Sequence, residues 1–528
     1  MVRSLISRRS PWNWTRILSN NLLLITIESI PPIPMRNKPS LSRLVVTLVI
    51  LVIGPTWGHA VIKVPPIFSD HMVVQAGQPV PVWGTADPGQ KIAVSIGGQS
   101  KVTEAGQDGK WMVKLDPVAP AEGLTLAVEG EQTIKINDVL VGEVWLCSGQ
   151  SNMQLPVSKA KDFETEQPAA TWPKVRVFNS KWVVCSPETV GKFSAAAYFF
   201  GREIHQKLGQ PVGLIQQAAG GSPIELWTNE DVQKEVPGLK PIFEAPEPIK
   251  VPTADTAQAQ IDQKQAVEVE GKQAVTGQKR PPGYLFDSRI VPLMPYGIRG
   301  VIWYQGEANS YTVHANLYGL QLATMITDWR KRWGYDFPFI AVQLPELGKA
   351  QVDPVEESGR AFVREGVLQS LSLPNTGMAV TLGTGEVGNN HPKNKQEAGR
   401  RLASWALATV YGKKDVAASG PLPAGHQVDG AKVIVTFTHT DGGLVVLKGG
   451  DLKGFAIAGD DQKWVWADAK IDGNTVIISS PSVPNPKAVR YAWAPNPAEA
   501  NLANGAGLPA SPFRTDGQPS APSGAGQP

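Results

Sequence analysis

Three polar clusters in this chain follow apolar runs that read as strands, and with a fourth that precedes a helix they hold the parts of an acyl-transfer site. Gly149-Gln-Ser-Asn-Met153 comes after Val139, Leu140, Val141, Val144 and Leu146, which alternate and cluster like a buried strand. Gly149 permits a sharp turn, and Ser151 then delivers its hydroxyl and its own N–H at the carboxyl edge of a sheet. Alone, Gly-Gln-Ser is equally a polar turn; the downstream clusters give it chemical meaning. Ala218-Ala-Gly-Gly-Ser-Pro-Ile-Glu225 follows a strand ending near Gln217, so Gly220 or Gly221 can aim a main-chain N–H at a neighbouring site. Tyr304-Gln-Gly-Glu-Ala-Asn309 follows the next strand and offers the Gln305 carboxamide as a second donor. Asn389-Asn-His-Pro-Lys-Asn394 brings His391 to a loop that precedes a helix. A nucleophile, oxyanion donors and a general base are what acyl transfer needs.

Of the seven histidines, His391 fits that base best. His59 falls in a segment expected to be removed, His71 in an N-terminal β module, His205 in a helix, and His426 and His439 in a C-terminal β module. His314 follows Tyr311-Thr-Val, a segment compatible with ordinary surface.

The elements that must position these groups alternate in the middle of the chain. Phe193, Ala197, Phe200, Ile204 and Leu208 have helical spacing, Gly209 and Pro211 stop that helix, and Val212-Gly-Leu-Ile-Gln-Gln-Ala follows as a strand. The alternation continues through strands at 300–305, 337–344 and 377–382 and helices at 317–333 and about 395–411. This is the grammar of a mostly parallel sheet covered on both faces. On either side the chain changes to short period-two strands punctuated by turns, as in small β-sandwiches. The expected organisation is an extension and signal at 1–60, a β-sandwich module at 61–137, a catalytic domain at 138–412, a second β-sandwich module at 413–516 and a disordered tail at 517–528. A Gln-, Ala-, Lys- and Pro-rich insertion around 236–282 interrupts the catalytic domain as a lid, surface excursion or linker. Trp83, Trp111, Trp464, Trp466 and Trp493 are of the type that stacks on sugars, but in small sandwiches such residues more often form the core.

Composition fits a globular protein of several domains: 528 residues, 42% apolar and 18% charged. The formal charge is +3, but residues 1–60 hold seven basic side chains against Glu28 alone; the remainder carries 43 basic and 46 acidic groups. A near-neutral chain offers no electrostatic case for nucleic acid. Met35-Arg-Asn-Lys-Pro-Ser-Leu-Ser-Arg43, the apolar run 44–53 and Gly58-His-Ala60 have the order of a signal peptide, predicting export to the periplasm or outside the cell with a mature start near Val61. That run is well short of the ~20 residues of a spanning helix, so no integral span is expected in the mature chain.

The ordered blocks Gly149-Gln-Ser-Asn-Met153, Gly-Gly-Ser-Pro-Ile-Glu-Leu-Trp at 220–227, Trp303-Tyr-Gln-Gly-Glu307 and His391-Pro-Lys-Asn-Lys395 resemble those of the sialate O-acetylesterase family, within the SGNH hydrolase superfamily. The likeness extends to Ile67-Phe-Ser-Asp-His-Met-Val-Val-Gln75, to Arg364-Glu365 and to the C-terminal module. It implies a flavodoxin-like three-layer α/β/α domain flanked by β-sandwich modules. It also implies hydrolysis of O-acetyl esters on carbohydrates through an acetyl-enzyme, with Ser151 as nucleophile, Ser151, Gly220 or Gly221, and Gln305 at the oxyanion positions, and His391 as base.

Two departures stand out. The family commonly carries aspartate two residues before this histidine, and here the position is Asn389. Either Asn389 orients His391 through its carbonyl, as the asparagine of Cys-His-Asn proteases does, or Glu386 completes a triad. Asn389 is also the argument for the alternative, a catalytically impaired carbohydrate-binding protein that retains the esterase fold. The second departure is Phe286-Asp-Ser-Arg289, where an Asn-Gly-Met-like segment is common, so the pocket rim is altered. There is no His-Glu-x-x-His, Cys-x-x-Cys or Walker A motif, and neither a metal nor another cofactor is expected. Cys147 and Cys185 are expected as two buried thiols, and Glu225 and Glu307 as braces of their own loops.

Overall fold

Strand β1, Thr133–Gly149, is seventeen residues long and belongs to two sheet regions at once. Its first half pairs antiparallel with Ala121–Glu129, and Val73–Gln75 adds in parallel at Leu140 to Gly142. Its second half is the centre of a parallel sheet. Every residue from Val139 to Gly149 is buried, as expected of a strand covered on both faces. The boundary expected at 137/138 falls inside β1, where Asp138 has a φ of 53°.

The computed structural model describes residues 61–244 and 280–517. The expected signal segment, most of the 236–282 insertion and residues 518–528 of the tail lie outside the described residues. The other strands of the central sheet are β2 (Trp172–Phe178), β3 (Trp182–Cys185), β4 (Val212–Ala218), β5 (Gly300–Tyr304), β6 (Phe339–Gln343) and β7 (Thr376–Val380). Their order is β7-β6-β5-β1-β4-β2-β3, parallel throughout except for the antiparallel β2–β3 hairpin. From β1 the chain builds β2, β3 and β4 on one side and then crosses to β5, β6 and β7 on the other. The crevice beyond its carboxyl end is therefore a topological switch point, where α/β sheets place their ligands.

The helices that frame the sheet and its carboxyl edge include α1 (Ser151–Gln154), α2 (Ala195–Leu208), α3 (Glu307–Ser310), α4 (Tyr318–Trp333), α5 (Gly359–Gln369) and α6 (Lys395–Trp405). Ser194 caps α2 by accepting from the Ala197 N–H, and Gly209 ends it in the left-handed conformation, φ 69°. Helix α2 packs on α6, and α4 packs on α5. The result is a mixed α/β protein with additional β-sheet modules. Before β1, Lys91–Ile96, Gln99–Glu104 and Ala121–Glu129 form one sheet region and Val80–Thr85 pairs with Lys110–Leu115. After α6, among the described residues, come two four-stranded antiparallel sheets and a two-stranded one.

Trp111 and Trp493 are buried, Trp83 packs edge-on against Phe68 at 4.8 Å between ring centroids, and Trp466 is exposed. Cys147 and Cys185 are both free and buried, and burial pushes the Cys185 thiol up to about 12. Among the described residues no helix is long and apolar enough to cross a membrane.

Candidate active site

Gly149 ends β1 with φ 137°, and a Cβ there would lie 2.1 Å from the carbonyl oxygen of Tyr304. Only glycine lets β1 and β5 stay paired while the chain swings out into α1. The turn is pinned by the Gln150 N–H on the Tyr304 carbonyl, 3.0 Å, and by the buried Gln150 side chain. Its Oε1 accepts from the Gly306 and Ala308 N–H groups at 3.3 and 3.2 Å. Ser151 follows as the first residue of α1, half-buried, with its hydroxyl 2.7 Å from His391 Nε2. The two groups expected to act as nucleophile and base are thus brought together.

His391 stands in the loop between β7 and α6. The carbonyl of Asn389, expected to meet the imidazole, accepts the main-chain N–H of His391 at 2.9 Å. The Asn389 amide donates to Glu386 Oε2 at 2.8 Å, and Glu386 Oε1 accepts the Lys393 N–H at 2.6 Å. Asn389 and Glu386 therefore form one bracket that shapes the loop from both sides of His391. His314 lies elsewhere, at the start of the turn Ala315–Leu317.

The expected donors divide. Gly220 gives its N–H to Gln154 Oε1 at 3.0 Å. Gly221 is exposed with φ 65°, and among the described residues its N–H meets no acceptor. Gln305 is fully buried, and its Nε2 is within reach of Asn309 Oδ1 at 2.7 Å and of Gln150 Oε1 and the Ser222 carbonyl at 3.1 Å each. Those neighbours are acceptors by their other bonds, which fixes the orientation of the amide. Tyr318 donates to Gln305 Oε1 at 2.9 Å. Gln305 ties three loops together, and it reaches a substrate oxygen only by releasing one of these acceptors.

Behind the Ser–His pair is an ionic cluster that the sequence motifs contained but did not single out. Asn152 is fully buried and donates to Glu307 Oε1 at 2.5 Å and to the Asn390 carbonyl at 2.9 Å. Its Oδ1 accepts from Lys395 Nζ at 2.7 Å, and the same ammonium donates to the Pro392 carbonyl at 2.6 Å. Burial raises the Glu307 pKa, and it lowers that of Lys395 to about 7 against the opposing carboxylates of Glu307 and Glu386. Glu225 and Glu307, expected to brace their own loops, instead tie neighbouring ones: Glu225 accepts from Asn309 and Gln321, Glu307 from Asn152. The available signal was position, since Asn152 adjoins the nucleophile and Lys395 closes the histidine block.

Arg289, from the divergent segment, donates to the Ala218 carbonyl at the exit of β4 and so borders this crevice. Among the described residues, no three His, Cys, Asp or Glu side chains converge as a metal-ligand set.

The family described as carbohydrate esterase, sialic acid-specific acetylesterase, matches residues 141–236 and 288–408. The sialate O-acetylesterases of Mus musculus and Homo sapiens are 29% identical to this chain over 497 and 494 residues. Those alignments cover 82% of this chain and 90% and 88% of the two proteins. The crystal structure of a carbohydrate acetylesterase from Xanthomonas citri is similar with a TM-score of 0.74 and 34% identity, covering 86% of this chain and all of that one.

Proposed function

The chain belongs to the sialic acid-specific acetylesterase family of carbohydrate esterases and is a carboxylic ester hydrolase, and from that premise we propose that it removes O-acetyl groups from sugars by a serine mechanism. The observation that carries this reading is the 2.7 Å contact between Ser151 Oγ and His391 Nε2 at the carboxyl end of the central strand. In the proposed reaction His391 takes the hydroxyl proton as Ser151 Oγ bonds to the acetyl carbonyl carbon. The carbonyl oxygen becomes an oxyanion, for which the N–H groups of Ser151 and Gly221 are the open donors and Gln305 a third if it releases an acceptor. Collapse expels the sugar oxygen, protonated by His391, and leaves acetyl-Ser151. Water activated by His391 then releases acetate. The Asn389–Glu386 bracket holds the histidine loop during both halves.

The strand order and the pairing of α2 with α6 and α4 with α5 support the flavodoxin-like three-layer SGNH arrangement, flanked by β-sheet modules of which the first shares β1 with the central sheet. Export, argued from residues 35–60, would place the enzyme where glycans with O-acetyl groups occur. Acetate release from O-acetylated sialosides and from acetylated plant and algal polysaccharides, each against a Ser151→Ala control, tests mechanism and substrate together. Turnover equal to the control on every ester would overturn the serine mechanism. Turnover confined to polysaccharides would move the substrate away from sialic acid.

A further inference from the structure

Asn152 touches both chain segments that carry the proposed chemistry, yet it contributes nothing to the reaction steps above. It immediately follows Ser151, and its carboxamide is tied to main-chain carbonyls on either side of His391, to one directly and to the other through Lys395. The Asn390 carbonyl accepts from Asn152 Nδ2 directly, and the Pro392 carbonyl accepts from the Lys395 ammonium held by Asn152 Oδ1. We propose that Asn152 and Lys395 are positioning residues that clamp the backbone on both sides of His391 and hold the imidazole over Ser151. This rests on the serine mechanism proposed above.

The cost of the arrangement argues that it is more than packing. Lys395 and Asn152 are each 0% exposed and Glu307 1%, and a buried ionic group of this kind is weak evidence for stability. Among the described residues Glu307 Oε2 has no hydrogen-bond partner, and the side-chain bond that Glu307 Oε1 accepts comes from Asn152. Lys395 is the first residue of α6, where a cation opposes the helix dipole. Its two bonds go to the two ends of the clamp. Local rules broken together behind a proposed active site are expected where geometry is held for function.

The test is steady-state hydrolysis of p-nitrophenyl acetate by the full chain, with Asn152→Ala and Lys395→Met beside wild type and Ser151→Ala. Loosening the Ser–His geometry by an ångström costs on the order of 10²-fold. That loss is expected in kcat for Asn152→Ala, with about tenfold for Lys395→Met, KM nearly unchanged, and near-UV circular dichroism showing folded protein. A role in packing alone would lower the melting temperature and leave kcat per folded molecule intact, which overturns the proposal, as does a loss confined to KM. Should Asn152→Ala fail to fold, Lys395→Met, which keeps the Asn152–Asn390 bond, decides by the same criteria. Wild-type turnover no faster than Ser151→Ala would remove the serine mechanism and the clamp with it, whereas an active wild type with an equally active Asn152→Ala removes only the clamp.

Discussion

The Nε2 atom of His391 lies 2.7 Å from the Oγ of Ser151, although 240 positions separate them in the chain. Ser151 comes from the exit of β1 and His391 from the loop after β7, so the contact exists only in the folded sheet. Ser151→Ala is expected to abolish ester hydrolysis, and His391→Gln to lower kcat by several orders of magnitude, because members of a nucleophile–base pair fail as a unit. Both variants should melt close to wild type. Acetate release measured beside circular dichroism checks this, and near-normal turnover in Ser151→Ala would exclude Ser151 as the nucleophile.

The parts of the site legible in sequence were those set by one strand and its exit. Gly149 and Ser151 stand out because a buried apolar run ends at a polar turn, and that pattern is local; His391 stands out by its polar loop before a helix and by comparison with the other six histidines. What Gln305 touches was not legible, because Gln150 and Ser222 arrive from the exits of two other strands, while Asn309 is four residues on in α3. The same holds for Asn389. Its residue type suggested a ring contact, but the loop geometry directs its carbonyl to the main chain of His391. The β2–β3 hairpin is short and easily passed over: Lys174 to Val177 alternates in sequence, yet Val175 to Phe178 are all buried in the fold, Arg176 included. Asn152 and Lys395 were visible as letters of a motif, while their bond depends on α6 starting beside α1.

Gln305→Ala is expected to show two separable effects. It removes one hydrogen bond each from Asn309 Oδ1 and the Tyr318 hydroxyl, which keep the Ile224 N–H and the residue 305 main-chain carbonyl as partners, a cost of about 0.5–1.5 kcal/mol per bond lost. If Gln305 also releases an acceptor to bind the oxyanion, kcat falls on the order of 10²-fold at constant KM. Urea unfolding measures the first effect and steady-state kinetics the second. A stability loss with unchanged kcat would make Gln305 purely a loop tie.

The pH dependence of stability should carry the signature of Lys395. Burial brings its pKa from 10.5 down to about 7, while the unfolded chain restores a value near 10.4. Between those values the unfolded state holds a proton that the folded state has released, so stability rises with pH across that window and levels off above it. Below about 7 both states are protonated and the burial penalty is constant. The urea midpoint of wild type relative to Lys395→Met should therefore climb from neutral pH to about pH 10. A flat difference would show that Lys395 keeps its charge. The released amine still has two N–H groups, enough for Asn152 Oδ1 and the Pro392 carbonyl.

The last prediction concerns the bracket of Asn389 and Glu386. Asn389 Oδ1 accepts from His391 N, Asn389 Nδ2 donates to Glu386 Oε2, and Glu386 Oε1 accepts from Lys393 N. Asn389→Asp alone sets two carboxylates against each other, and like charges at such range share a proton that leaves as pH rises. That variant is expected to match wild type in mild acid and to lose on the order of tenfold in kcat/KM on the alkaline side. Exchanging both residues, Asn389→Asp with Glu386→Gln, preserves every bond: the new amide donates to the new carboxylate, and each remaining oxygen keeps its main-chain N–H. If the bracket acts by shape, the double variant retains wild-type kcat/KM across the pH range, and Glu386→Gln alone loses less than about tenfold because one hydrogen bond fails. If the Glu386 carboxylate is itself the third member of a triad, Glu386→Gln costs far more, on the order of the 10⁴-fold known for Asp→Asn in a serine protease. A pH–rate profile of these three variants and wild type separates the two readings, since only a shape-based bracket survives the exchange.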